Sequence, residues 1–109
     1  MAAVLHSPFY AGHKFTPNDA EDLATALKVV ADPMRLRILA LLAERGPMRA
    51  VDLVPLLDAK QPNVSHHLTV LHQSGLVRNE VVGPDVLRAI DVDRMSRLAR
   101  LLDPNGGRR

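Results

Sequence analysis

Cysteine is absent from this 109-residue chain, so disulfides and thiolate metal sites are excluded and nothing implies an oxidising compartment. Aromatics are scarce, at 3%: Phe9, Tyr10 and Phe15, all before residue 16. The core beyond that point has to be aliphatic, which favours packed Leu, Val, Ile and Ala helices over a large sheet. No apolar run approaches the ~20 residues that a membrane span needs. No basic segment followed by a long apolar run opens the chain. No membrane partner and a cytoplasmic location are therefore expected. A glycine-rich phosphate loop, a nucleophile-and-base pairing and paired carboxylates at a recognisable catalytic spacing are also missing, so no enzyme is expected. Excess charge is small: Lys and Arg number 14 against 12 Asp and Glu, a formal net charge of +2. Arginine supplies 11 of those 14 cations, which suits phosphate contact without establishing it.

What is present is one domain's worth of chain, 47% hydrophobic, an ordinary globular share. Residues 1–15 hold Pro8 and Gly12, show no helical period, and read as a flexible N-terminal arm. Residues 16–103 read as the folded domain, and 104–109 as a disordered tail. Thr16-Pro17 and Asp32-Pro33 each place a capping side chain before a proline, the start signal of a helix. The first helix carries Leu23, Ala26, Leu27 and Val30 on one face. The second, from about Pro33 to Arg45, is apolar around much of its circumference and stops at Gly46-Pro47. A short helix from about Ala50 to Leu57 contains Pro55, which removes a backbone donor. After the connector Asp58-Ala59-Lys60, the next helix runs from about Pro62 to Ser74 and stops at Gly75. Two strands, Leu76 to Val82 and Val86 to Val92, flank the turn Gly83-Pro84-Asp85 and form a hairpin. A last helix from about Asp93 to Asp103 lines up Met95, Leu98, Leu101 and Leu102.

The helices over 50–57 and 62–74 form a helix-turn-helix, whose second helix protrudes with its apolar face inward. Val64, Leu68 and Leu71 make that inner face. The outer face of 61–74 is Gln61, Asn63, Ser65, His66, Thr69, His72 and Gln73. These are neutral hydrogen-bonding groups without carboxylates, as a helix lying in the major groove requires. An ordinary solvated face would instead carry Glu and Lys.

The run from Ala31 through Asp32-Pro33-Met34-Arg35 to Leu42 resembles the second-helix motif of the ArsR/SmtB family of winged-helix repressors. Gln61-Pro62-Asn63-Val64-Ser65-His66-His67-Leu68, continuing to Ser74-Gly75-Leu76-Val77, is similar to that family's recognition helix and its entry to the wing. The likeness covers roughly residues 18–102. It implies a mainly α (α+β) winged helix-turn-helix with a two-stranded β-hairpin wing, and a homodimer built on the first and last helices. It implies a transcriptional regulator, a repressor in type, bound to a near-palindromic double-stranded DNA operator. Carried across by position, Gln61, Asn63, Ser65 and His66 contact base edges or phosphates, with Thr69 on the same face. Lys60, Arg78 and Arg88 reach backbone phosphates, although a solvated strand face also accounts for Arg88. His67 packs at the edge of the core.

Many family members sense metals, and three kinds of site can be compared by position. A Cys-x-Cys on the helix before the recognition helix is replaced here by Arg49 and Val51. A site near the start of the last helix keeps its Asp at Asp93, but Met95 stands at the His position and the helix runs out at Pro104. A third kind uses the arm, where His6 and His13 offer imidazoles suited to nickel or zinc. His66, His67 and His72 do not converge on one ion, because steps of five and six residues lie about 140° and 120° apart on a helix. The missing sensor ligands keep open a second class of function: a winged-helix interaction module that depends on a separate protein co-regulator for sensing.

Overall fold

Three helices begin where a proline enters the first turn, where its fixed φ and missing N–H do no harm. In the computed structural model, which describes residues 16–104, these are α1 (Pro17–Val30), α2 (Pro33–Arg45) and α4 (Gln61–Gln73), with Pro62. Thr16 and Asp19 cap α1 reciprocally. The Asp19 N–H donates to Thr16 Oγ1 at 3.1 Å, and the Thr16 N–H donates to Asp19 Oδ2 at 2.9 Å, satisfying two otherwise orphaned donors. Asp32 caps α2, its Oδ2 accepting from the Arg35 N–H at 3.0 Å. Gly46 ends α2 at φ +82°. A Cβ there would meet nothing within 4 Å, so the sign of φ, not crowding, calls for glycine.

Contacts divide the described residues into two units: residues 29–91, and the flanking residues 16–28 with 92–104. The first unit holds α2, β1 (Met48–Arg49), α3 (Ala50–Leu57), α4, β2 (Val77–Val82) and β3 (Asp85–Ile90). Its core is aliphatic as expected: Ile38, Leu53, Val64, Leu68 and Leu71 are wholly buried, with Leu57 and Val77 at 1% exposure. Each such side chain contributes about 1.5–3 kcal/mol by leaving water. α2 departs from expectation. It buries Ile38, Leu39 and Leu42, but leaves Leu36 about half exposed, so its apolar circumference is wider than the face it buries.

The expected hairpin is present, with Val77 opposite Ile90 and Val82 opposite Asp85. Gly83 at φ +59° followed by proline, whose φ is fixed negative, gives the order of signs of a type II′ turn. The two-stranded wing expected from sequence gains a third strand. β1 pairs antiparallel with β3, Met48 opposite Arg88, in a sheet of order β1-β3-β2. Two residues are too short a run to show an alternating pattern.

In the flanking unit, α1 buries Leu23, and α5 (Val92–Leu102) buries none of its residues. The expected arm at 1–15 and all of the expected tail but Pro104 lie outside the described residues. Among the described residues, no helix is long and apolar enough to cross a membrane.

Candidate nucleic-acid interface

α3 and α4 are joined by Asp58, Ala59 and Lys60. Asp58 makes the change of direction in the left-handed region, at φ 50°, ψ 50°, which Asp tolerates better than most residues. Leu53 and Leu57 of α3 and Val64, Leu68 and Leu71 of α4 are buried, and α2, α3 and β2 all pack against α4. Arg37 of α2 also grips α3, donating from Nη1 and Nη2 to the Leu57 and Leu56 carbonyls at 3.4 Å each. These are the orphan acceptors at a helix C-terminus, where a cation is favoured.

With its inner face filled, α4 turns the opposite face outward. Gln61, Asn63, His66 and Thr69 are exposed, and Ser65 is half-buried. Thr69 Oγ1 donates to the Ser65 carbonyl at 2.9 Å, which leaves the oxygen's lone pairs outward. Lys60 is exposed at the N-cap, and α4 has no side-chain cap and no acid in its first turn. The positive end of its dipole therefore lies open to an anion. His72 also lies on the exposed side, but its Nδ1 donates to the Val77 carbonyl at 3.2 Å, so its ring is partly engaged by its own chain.

The wing cations have internal partners. Arg78 pairs with Glu80, Nη2 to Oε1 at 2.9 Å. Arg88 Nη1 donates to Asn79 Oδ1 at 3.1 Å, while its Nε is buried with no partner. Arg88 is half-buried, less open than the solvated strand face considered for it. Arg49 binds Asp52 at 2.9 Å and reaches Asp85 at 3.6 Å, fastening β1 and α3 to the wing. The hydrogen bond between them raises Arg49 above, and holds Asp52 below, its ordinary pKa.

His67 packs inward, as expected, with its side chain 12% exposed. Its Nδ1 accepts from Arg35 Nε at 3.1 Å and lies 3.8 Å from Asp32 Oδ2. Arg35 Nη1 donates in turn to the Val29 carbonyl at 3.0 Å. The Asp32 carboxyl titrates below its ordinary range, chiefly because the Arg35 backbone N–H binds it. Sequence reasoning missed this network and the roles of Arg37 and Arg49, because the Arg35–His67, Arg37–Leu57 and Arg49–Asp85 contacts join residues far apart in the chain. His6 and His13 lie outside the described residues, among which no three His, Cys, Asp or Glu side chains gather to hold an ion.

Comparison with known proteins agrees with this geometry. The family described as bacterial regulatory protein, arsR family, matches residues 32–79. An uncharacterised HTH-type transcriptional regulator of Methanocaldococcus jannaschii is 37% identical over 83 residues, 76% of this chain and 93% of that protein. The transcriptional repressor PagR of Bacillus anthracis is 30% identical over 95 residues, 87% of this chain and 95% of PagR. Among solved structures, a homodimeric winged helix-turn-helix DNA-binding domain from Mycobacterium bovis matches with a TM-score of 0.64 at 26% identity, covering 84% of this chain and 82% of that one. Such relatives are regulators of transcription rather than enzymes. The family match over residues 32–79, the 37% identical relative and the helices and hairpin wing of the described residues together give the assignment: the chain belongs to the ArsR family of winged helix-turn-helix, DNA-binding transcriptional regulators.

Proposed function

We propose that the chain is a cytoplasmic repressor that binds a near-palindromic operator as a homodimer, one α4 entering each of two successive major grooves. The division of α4 carries this reading: its apolar side is wholly buried, and its amide, imidazole and hydroxyl groups face water. Gln61 and Asn63 have the donor–acceptor pair that matches adenine, and Ser65, His66 and Thr69 extend the same face. Lys60 and the open N-terminus of α4 meet phosphate, and Arg78 and Arg88 add wing contacts. The dimer seam is α1 with α5, whose apolar residues Met95, Leu98 and Leu101 are only half-buried within the single chain. The homodimeric Mycobacterium bovis relative and the Bacillus anthracis repressor support this assembly and this direction of control.

The test is equilibrium binding of the full chain to a duplex selected by it from a random-sequence pool. Affinity falls steeply with salt. Asn63→Ala or His66→Ala weakens the selected duplex about tenfold more than an unrelated one; equal losses on both would mean that these side chains do not read bases. Response to nickel or zinc through His6 and His13 is a separate proposal. Calorimetry with each ion, on the wild type and a His6→Ala/His13→Ala variant, decides it, and unchanged binding in the variant removes it. The exposed Val81, Val82 and Val86 of the wing favour a second reading, a module that docks a separate co-regulator. That reading takes over if the chain alone selects no sequence.

A further inference from the structure

The Asp32–Arg35–His67 cluster lies on the inner side of α4, one residue from the outward-facing His66. A ring nitrogen has a single in-plane position, which holds either a lone pair or a proton. Nδ1 of His67 therefore cannot accept from Arg35 Nε and donate to Asp32 Oδ2 at the same time, although both atoms lie near it, at 3.1 Å and 3.8 Å. With Nδ1 unprotonated, Arg35 bridges α4 to the Val29 carbonyl, using two edges of one guanidinium. With Nδ1 protonated, that bridge opens and the ring is drawn to Asp32 Oδ2. That oxygen is also the one that caps α2 through the Arg35 N–H.

Of the charged groups on the other elements packed against α4, Glu44 and Arg45 lie at the far end of α2 from Arg35, and the rest have partners of their own. Asp52 of α3 holds Arg49, and Arg78 and Glu80 of β2 hold each other. Arg37 of α2 is bound to the end of α3. On α4 itself, the His66 ring lies 5.4 Å from that of His67. The choice open to Nδ1 is between Arg35 and Asp32, both of which come from the segment Asp32-Pro33-Met34-Arg35.

We propose that His67 is a positioning residue for DNA recognition, its unprotonated Nδ1 locked onto Arg35, and that protonation exchanges this partner for Asp32 and weakens operator binding in mild acid. This deepens the reading of α4 as the DNA-binding helix and rests on it. The expected sign is distinctive. Protonating the exposed His66 and His72 adds positive charge and strengthens phosphate attraction, whereas protonating His67 removes the bond that orients the helix.

Two measurements on the full chain test this. Proton–nitrogen NMR of the imidazoles, without DNA at about pH 8, reads the tautomer directly. The expected result is a proton on Nε2 of His67 and none on Nδ1; the opposite tautomer overturns the proposal. Fluorescence anisotropy then follows binding to the pool-selected duplex at about pH 8 and about pH 5.5. His67→Asn keeps an acceptor oxygen where Nδ1 stands but does not protonate. It binds within about threefold of wild type at the higher pH, and loses about tenfold less affinity on acidification. His67→Leu, which fills the space without an acceptor, loses about tenfold already at the higher pH. Equal pH responses in wild type and His67→Asn, with duplex binding intact, overturn this proposal alone. If no duplex is selected, the DNA-binding reading of α4 fails and this proposal falls with it.

Discussion

α4 and α5 carry similar apolar spacing and arrive at opposite states. α4 sets Val64, Leu68 and Leu71 at steps of four and three, and all three are fully buried. α5 sets Met95, Leu98 and Leu101 at steps of three, and none of its residues is buried. The outer faces differ as well: amides, hydroxyls and imidazoles on α4, and Arg94, Arg97 and Arg100 on α5. An apolar stripe announces that something covers it, but not what. For α4 the cover is the chain's own α2, α3 and β2, and the polar side is left for a ligand. For α5 the stripe is left for a second subunit in the proposed dimer.

The most damaging way to probe this contrast is Leu68→Ala. Emptying a fully buried leucine site costs about 2–5 kcal/mol, measured by urea denaturation. A cost below about 1 kcal/mol would mean that the inner side of α4 is not core. Leu98→Glu on α5 places a charge on the unburied stripe. The dimer dissociation constant rises about a hundredfold in sedimentation while the helix content by circular dichroism holds. An unchanged dimer would move the seam elsewhere.

Smaller effects sharpen the comparison. Asp32→Ala removes the cap of α2 beneath α4 and lowers Tm by about 5 °C at neutral pH. The folded carboxyl titrates below its ordinary 3.8. Its stabilisation is therefore fully present above that value and is lost as pH falls through the lower folded one. The gap between Asp32→Ala and wild type closes in strong acid, and a gap that widened there would contradict the assignment. Arg78→Ala, next to α4, weakens all duplexes a few-fold and reduces the salt slope by about one. Arg97→Ala on α5 leaves both unchanged if only the α4 side meets DNA.

Most of the fold was legible because its signals are local. Thr16 and Asp32 announce helices by side chains that reach three residues along. Gly83-Pro84 sets the hairpin by backbone preference alone. The outer face of α4 was legible because a filled inner face at helical spacing dictates what lies opposite. The parts that escaped are the non-local ones. β1 exists because Met48 and Arg49 meet Arg88 and Leu87, some forty residues on. Arg35 and His67 are 32 residues apart, and neither marks the other in the sequence. The incomplete burial of α5 was legible only through the expected dimer seam, since Leu98 and Leu68 look alike in spacing until the neighbours are known.

The sheet order leaves β2 at one edge, with Val81 and Val82 both exposed. An open strand edge with apolar side chains is a template for a strand from another molecule. Here Arg78 and Glu80 interrupt it, and Pro84 at the tip has no N–H to offer. Glu80→Val would leave an unbroken apolar run over residues 80–82. The wing, rather than the core, would then set how far a solution of this protein can be concentrated before it precipitates.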